Sequence, residues 1–421
     1  MSEGVPSEWS RTLLGEVFNI AIGGTPSRNV NEYWDKTKTS GNAWVSIKDL
    51  NQKYVMDTEE YITDVGVKNS NAKLIPKGTV MMSFKLTIGR TALAGRDLYT
   101  NEAIASFIPK DSSAVDTRYF YQGLQHWNLL ENVDQAVKGA TLNKEKLSLI
   151  EGIFPEYPEQ QKIASILTSV DDVIEKTEAQ ISKLQDLKQG MMQELLTKGI
   201  GHTEFKPAPK WRVGEFPEQK VIPATWELVD ILSVAKLESG HTPSRNNPDY
   251  WNGNVQWLSL HDTKQLSERV IRKTAYTITE DGLANSSARL LQEGTVAFSR
   301  TASVGHCVIL GCEMATSQDF ANYVCGNRLH NGFLMQMFRW MQHVWQGLAG
   351  GSTHQTIYMP DFKQLQILLP PLEEQRKITA IANGIDDAVE ATVKRLQPVK
   401  SLKRALMQDL LTGRVRVKTD G

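Results

Sequence analysis

The sequence predicts an α+β protein: two tandem copies of a mixed, β-rich globular domain, separated by an antiparallel coiled coil of two long helices, in a pseudo-twofold arrangement. Three observations predict it. The phrase GGTPSRNVNEYW at 23–34 returns as GHTPSRNNPDYW at 240–251, with eight identities in the same order. A train of further landmarks recurs at separations of 213 to 217 residues. Each copy then closes with a heptad pattern rather than a strand pattern.

Along each copy the landmarks keep their order. WVSIKDL (44–50) is answered by WLSLHDT (257–263), and PKGTV (76–80) by QEGTV (292–296), each a turn feeding a buried strand. IGR (88–90) matches VGH (304–306), and TNEAIASF (100–107) matches TSQDFANY (316–323). Short β-branched and aromatic runs cut by Gly, Asn, Asp and Ser mark this stretch as β-rich. At a proline-rich step, IFPEYPEQ in one copy and LLPPLEEQ in the other, the pattern turns helical. The period is far too long for a solenoid, so the repeat is a duplicated domain with its appendage. The expected boundaries are a first globular domain at 1–155, a helical spacer at 156–199, a linker at 200–222, a second globular domain at 223–368, a second spacer at 369–413 and a basic tail at 414–421.

In the first spacer Ile163, Leu167, Val170, Ile174, Thr177, Ile181, Leu184, Lys188, Met191 and Leu195 alternate by fours and threes. The second repeats the register with Ile378, Ala382, Ile385, Val389, Thr392, Leu396, Val399, Lys403, Leu406 and Leu410. A stripe of this length is a coiled-coil seam, and neither helix can bury it alone. The economical partner is the other copy, since residues 159–198 hold seven acids and five bases whereas 394–418 hold eight bases and one acid. Paired antiparallel, the helices make a rod of about 50 Å with a globular domain at each end. Pro398 should kink the second helix or end it a turn early.

Composition narrows the classes. A chain of 421 residues, 40% hydrophobic and 23% charged, fits two to three globular domains. No apolar run is long enough for a membrane span and the N-terminus MSEGVPSEWS has no signal-peptide pattern, so a cytoplasmic location is expected. Cys307, Cys312 and Cys325 are odd in number and lie in one half, which argues against a disulfide framework and reads as small core residues. Six of the eight histidines lie in 241–354 without metal spacing, so no metal site is expected. A formal net charge of −1 argues against a simple basic nucleic-acid binder, but its distribution is regional.

The ordered set G-x-TPSR, YW, W-[VL]-S, [KE]GTV, a G-[AS]-T turn, the proline-rich step and a heptad helix ending MQ-[DE]-LLT resembles the specificity subunit of Type I restriction-modification enzymes. The segment GSTHQTIYMPDFKQLQILLPPLEEQRKI at 351–378 is the most specific part. The resemblance spans nearly the whole chain and appears twice. It implies two target recognition domains, each reading one half of an asymmetric split DNA sequence, joined by helical regions that separate them and dock partner subunits. It further implies two modification (methyltransferase) subunits carrying S-adenosylmethionine and two restriction (motor-nuclease) subunits using ATP and Mg, with double-stranded DNA as ligand, no cofactor on this chain and no catalysis by it. On that view the phrase appears twice because each half-site needs its own reader.

Residues shared by the copies should then be scaffold, and those that differ should read sequence. Thr25-Pro26 and Thr242-Pro243 favour extended backbone, and the Tyr-Trp pair is an anchor. Arg28 and Arg245 are the shared exception, suited to a phosphate contact. Candidate base readers lie where the copies diverge: Lys48 against His261, Lys85 against Thr301, Phe84 against Arg300, Arg90 against His306, and Lys144 against His354 and Gln355. NPDY (247–250) is close to the Asn-Pro-Pro-Tyr site of DNA amino-methyltransferases, but Asp249 replaces the second proline, its repeat partner reads VNEY, and no Gly-rich cofactor turn precedes it. Pro360-Asp361 with Gln375 and Lys377 does not make a nuclease site, because its second half falls where the helix begins. No Walker loop is present. The alternatives are a coiled-coil adaptor or a solitary DNA-binding protein without restriction partners.

Overall fold

The computed structural model describes residues 6–127, 142–211, 220–350 and 355–419. It resolves into two compact units, Met1–Ala179 with Lys394–Gly421 and Gln180–Val393. The division falls inside both long helices, Tyr157–Thr197 and Leu372–Leu410, rather than at the expected segment boundaries. Each unit therefore holds one globular domain, the start of the helix that follows it and the end of the other helix.

In unit 1 a five-stranded sheet runs in the order Phe18–Ile22, Ile104–Pro109, Val80–Ser83, Thr91–Ala94 and Tyr54–Val55. A four-stranded sheet joins Glu60–Tyr61, Ala43–Val45, Leu98–Thr100 and Leu74–Ile75. Val80–Ser83 is buried throughout, which explains the continuous apolar run VMM after the PKGT turn. The core gathers Phe18, Phe107, Phe120 and Phe154, and Ile163, Ala164 and Leu167 of the first long helix join it. Met407, Leu410 and Leu411 at the end of the second long helix join the same cluster. Truncating Leu410 to Ala should cost about 2–5 kcal/mol.

Unit 2 repeats the plan. Its five-stranded sheet runs Ala235–Ser239, Phe320–Cys325, Val296–Ser299, Cys307–Leu310 and Val270–Ile271. A three-stranded sheet joins Tyr276–Ile278, Trp251–Leu258 and Met314–Thr316, and an isolated bridge from Leu291 to Met314 stands in place of a fourth strand. Ile378 and Ala382 of the second long helix enter the core, together with Met192, Leu195 and Leu196 of the first.

The repeated Glu-Gln of the helix starts explains this anchoring. Gln160 accepts from the Asp116 amide and donates to the Ala114 and Pro155 carbonyls; Gln375 does the same with His330, Arg328 and Pro370. Glu159 accepts from Trp9 Nε1 (3.1 Å) and from Arg416, while Glu374 accepts from Trp226 Nε1 (2.9 Å), the Ile200 amide and His202. Arg416 belongs to the segment expected as a basic tail, and two acids, Glu159 and Glu8, hold it. The expected linker is likewise structured where it is described: Phe205–Pro207 pairs with Val221–Pro223, and Trp211 lies in the unit 2 core.

The heptad positions separate cleanly by burial. Ile163, Leu167, Ile378 and Leu396 are buried, and Val170, Ile174, Ile181, Leu184, Ile385, Val389, Val399 and Leu406 are half-buried, amid neighbours that are mostly exposed. Within unit 1, Lys403 pairs with Asp171 (2.7 Å) and Lys400 with Glu178 (2.6 Å), so the two helix segments run antiparallel there. Within unit 2, Lys188 pairs with Asp386 (2.7 Å). The second helix does not end early at Pro398, as one of the two expected outcomes had it, but continues through it to Leu410. Pro398 is exposed, and the local cost of a helical proline is the missing N–H and the crowding of the carbonyl four residues earlier.

Candidate nucleic-acid interface

The TPSR phrase folds identically in both units. Trp34 and Trp44 meet edge to face at 5.1 Å and 89°, and Trp251 and Trp257 at 5.1 Å and 88°. Trp34 Nε1 donates to the Ser27 carbonyl and Trp251 Nε1 to that of Ser244, each at 3.1 Å. Trp44 and Trp257 reach back to the Gly24 and His241 carbonyls. Glycine opens the phrase because a Cβ at Gly23 would lie 2.0 Å from the Thr100 carbonyl oxygen, and one at Gly240 2.1 Å from that of Ser317. These shared letters build a frame.

That frame presents one arginine per unit, but in different electrostatic settings. Arg28 stacks over Trp34 (3.8 Å) and Trp44 (5.0 Å) and forks onto Glu60, with Nη2 to Oε2 at 3.0 Å. Glu60 is the cross-strand partner of Trp44; opposite Trp257 stands Tyr276 instead. Arg245 is exposed, lies 5.6 Å from the Trp251 ring and forms no ion pair among the described residues. Only the second arginine is open to a phosphate without first leaving a carboxylate. No local pattern announces the Glu60 clamp, because the strand pairing that delivers it is non-local.

Lys48 is exposed on the turn Ile47–Asp49 and pairs with Glu59, whose hydrogen bond and charge raise the Lys48 pKa. His261, also exposed, packs edge to face against Tyr276 at 4.8 Å. Both turns are fixed by a serine-aspartate capping box, Ser46 with Asp49 and Ser259 with Asp262, so the reader position is offered on the same backbone in each copy.

The hairpin tips at 84–90 and 300–306 carry the other divergent pairs. Lys85 is half-buried, 5.4 Å from the ring of the buried Phe84, and Arg90 is exposed. Arg300, in place of Phe84, turns its Nε and Nη1 onto the Gln318 and Ile357 carbonyls, each at 2.9 Å, so it ties neighbouring segments together with two of its donors. His306 is exposed with Nδ1 3.1 Å from the Ser303 carbonyl. Gln355 is exposed and its carbonyl accepts from the Ala302 amide, bringing Arg300, His306 and Gln355 into one loop cluster. Gln318 ties that cluster to the TPSR loop through Thr242 (2.5 Å), as Glu102 ties Thr25 in unit 1. Lys144 is exposed at the start of the short helix Lys144–Ser148, capped by Asn143. His354 lies outside the described residues.

No catalytic arrangement emerges from the motifs weighed for one. In NPDY the Asn247 side chain accepts from the Asp249 amide (3.1 Å), capping its own turn. Burial pushes the Cys307 thiol up to about 11 and Cys325 to about 12. Among the described residues no three His, Cys, Asp or Glu side chains form a metal-binding group, and no helix is long and apolar enough to cross a membrane.

The family model described as the Type I restriction modification DNA specificity domain matches residues 6–186 and again 223–401. The chain belongs to that family. Specificity subunits are the non-catalytic, DNA-recognising members of Type I systems and act with methyltransferase and restriction subunits. The chain is 23% identical over 437 aligned positions to the Type I restriction enzyme MjaIX specificity subunit of Methanocaldococcus jannaschii, covering 98% of this chain and 95% of that one. It is 29% identical to the EcoR124I/EcoR124II specificity subunit of Escherichia coli over 39% of this chain and 41% of that one. The crystal structure of the Type I S subunit from M. genitalium superposes with a TM-score of 0.57 at 12% identity over 97% of both chains, a likeness of fold. The repeated match falls on the two globular domains and their helices, so the duplication seen in the sequence is a duplication of the family's own unit.

Proposed function

We propose that this specificity subunit recognises a bipartite, asymmetric DNA target, with the globular domain of each unit reading one half. The observation that carries the reading is the pairing of one frame with two different faces. The Trp-Trp pair and its backbone hydrogen bonds recur with closely matching geometry, while the outward residues differ: Lys48 for His261, Lys85 and Arg90 for Thr301 and His306. Two readers of unlike chemistry on a common frame suit an address whose halves are unlike. The long helices would pair as an antiparallel coiled coil and set the spacing between half-sites, supported by a heptad stripe less exposed than its neighbours and by antiparallel ion pairs within unit 1. Two modification subunits carrying S-adenosylmethionine and two restriction subunits using ATP and Mg would supply the chemistry, with no cofactor on this chain. Near-neutral net charge fits a reader whose partners share the phosphate contacts.

Mapping methylated sites in a host carrying the complete system gives the target. The chain with its modification partner should then retain a duplex bearing the split site on a filter and release one whose spacer is lengthened by about two base pairs, a rotation of roughly 70° about the duplex. Indifference to the spacer would favour the coiled-coil adaptor.

A further inference from the structure

The hairpin of unit 1 that joins Val80–Ser83 to Thr91–Ala94 has an apolar tip. Leu86 is 95% exposed, the most exposed of the large hydrophobic side chains described. Its backbone is left-handed, with φ 61°, a conformation that a branched side chain rarely adopts. A surface leucine alone would mean little. This one stands in a shape the molecule builds twice: Ala302 at the tip of the second hairpin has φ 61°, and Gly89 and Gly305 follow at 89° and 91°. The closing bonds recur as well, since the Ser83 amide donates to the Arg90 carbonyl (2.9 Å) and the Ser299 amide to that of His306 (2.8 Å). Ser83 Oγ adds a hydrogen bond from the Arg90 amide (3.1 Å) and one to the Thr87 carbonyl. The tip is held by its base, and at its left-handed position the copies differ in the length of the apolar side chain, leucine in one and alanine in the other.

A two-stranded ribbon of this kind fits the major groove of B-DNA. Lys85 and the exposed Arg90 flank the tip and suit the acceptors of guanine there. The one apolar group on base edges in that groove is the 5-methyl of thymine. We propose that Leu86 reads a thymine in the first half-site by packing against its 5-methyl group, a contact that Ala302 can make in the second half-site only at closer approach. Strain held at an exposed apolar tip then has a use, because it fixes the side chain outward before the groove is met. The inference rests on the bipartite reading above and adds a residue and a base to it.

The test replaces each thymine of the first half-site, one at a time, by deoxyuridine, and measures affinity of the full chain with its modification partner for wild type and Leu86→Ala. One position should weaken the wild type about four-fold, the worth of one buried methyl group, and should cost Leu86→Ala nothing further. Leu86→Met should restore the sensitivity, the salt dependence should be unchanged, and uracil in the second half-site should affect both proteins alike. A specific complex that ignores uracil throughout the first half-site, or loses equally with both proteins, overturns the assignment and leaves the bipartite reading standing. So does brightening of 2-aminopurine beside an otherwise uracil-insensitive step, which would make Leu86 a wedge between bases. A complex that fails to distinguish the mapped site from scrambled duplex overturns both.

Discussion

Arg28 and Arg245 occupy the same place in a duplicated motif, yet one is forked onto a glutamate and the other is not. The difference lies in a neighbouring strand, where Glu60 faces Trp44 and Tyr276 faces Trp257. A repeated residue therefore fixes where a side chain stands, while the residue across the sheet fixes whether its charge is available. The helix junctions repeat the lesson. Gln122 and Lys403 converge on Asp171 in unit 1, and Gln336 and Lys188 converge on Asp386 in unit 2. Lys53 adds itself to the first cluster at 3.6 Å from Asp171 and 3.7 Å from Asp172, both lysine and Asp171 being nearly buried at 5% and 9% exposure. In unit 2 the corresponding Arg269 pairs with Asp387 nearer the surface, and Asp386 is 24% exposed.

The widest split between the units should come from breaking these junctions. Asp171→Ala takes away the carboxylate shared by Lys403 and the nearly buried Lys53, leaving Lys53 only the exposed Asp172, and should destabilise unit 1 by about 3–5 kcal/mol. Asp386→Ala removes the partner of the more hydrated Lys188 and leaves the Gln336 amide only its bond to Asn383, and should cost unit 2 about 1–2 kcal/mol. Chemical denaturation of the full chain reads both; equal losses would mean that burial does not separate the two junctions.

On DNA the ranking reverses, because the open arginine lies in unit 2. Arg245→Ala should weaken binding to all duplexes alike and lower the salt slope by about one. Arg28→Ala should do measurably less, since its charge is already matched. Glu60→Gln sharpens the point: it keeps the side chain's shape, releases Arg28, and should raise non-specific affinity about three-fold with a steeper salt dependence. In that background Arg28→Ala should cost what Arg245→Ala costs. If Arg28→Ala already matches Arg245→Ala in the unmodified chain, the clamp does not control availability.

How much of this was legible in the sequence follows from which interactions are local. The duplicated frame, the strand after each [KE]GTV turn and the heptad stripe were readable, because spacing and periodicity within a short window determine them. The helix through Pro398 was not, since whether a proline ends a helix depends on the surroundings of its ring and on the packing on both sides of it. The capture of Arg416 by Glu159 joins residues 257 positions apart, and the Glu60 clamp needs a strand pairing that no local pattern announces. Leu86 lay inside the divergent hairpin, but a search for hydrogen-bonding readers passes over an apolar residue. Its signal was the left-handed backbone, which a leucine does not advertise.

The smallest expected difference concerns acid. The helix Thr117–His126 is capped by Asp116, which accepts from the Arg118 and Tyr119 amides, whereas Asn331–Trp340 is capped by His330, whose Nδ1 accepts from the Phe333 amide at 3.3 Å. Burial, with the nearby charge of Arg376, lowers the His330 pKa. Protonation of this nitrogen would remove its capacity to accept from the Phe333 amide. The sign is set by the depressed value: the unfolded chain takes up the proton first, so the cap's contribution is complete above the ordinary histidine pKa of about 6.5 and declines as pH falls through the lower folded value. Amide exchange at Phe333, corrected for its intrinsic pH dependence, should lose protection across that window while Tyr119 does not. His330→Asp should give unit 2 the acid tolerance of unit 1, and unchanged Phe333 protection in the wild type down to the carboxylate range would show that the histidine cap is not what differs.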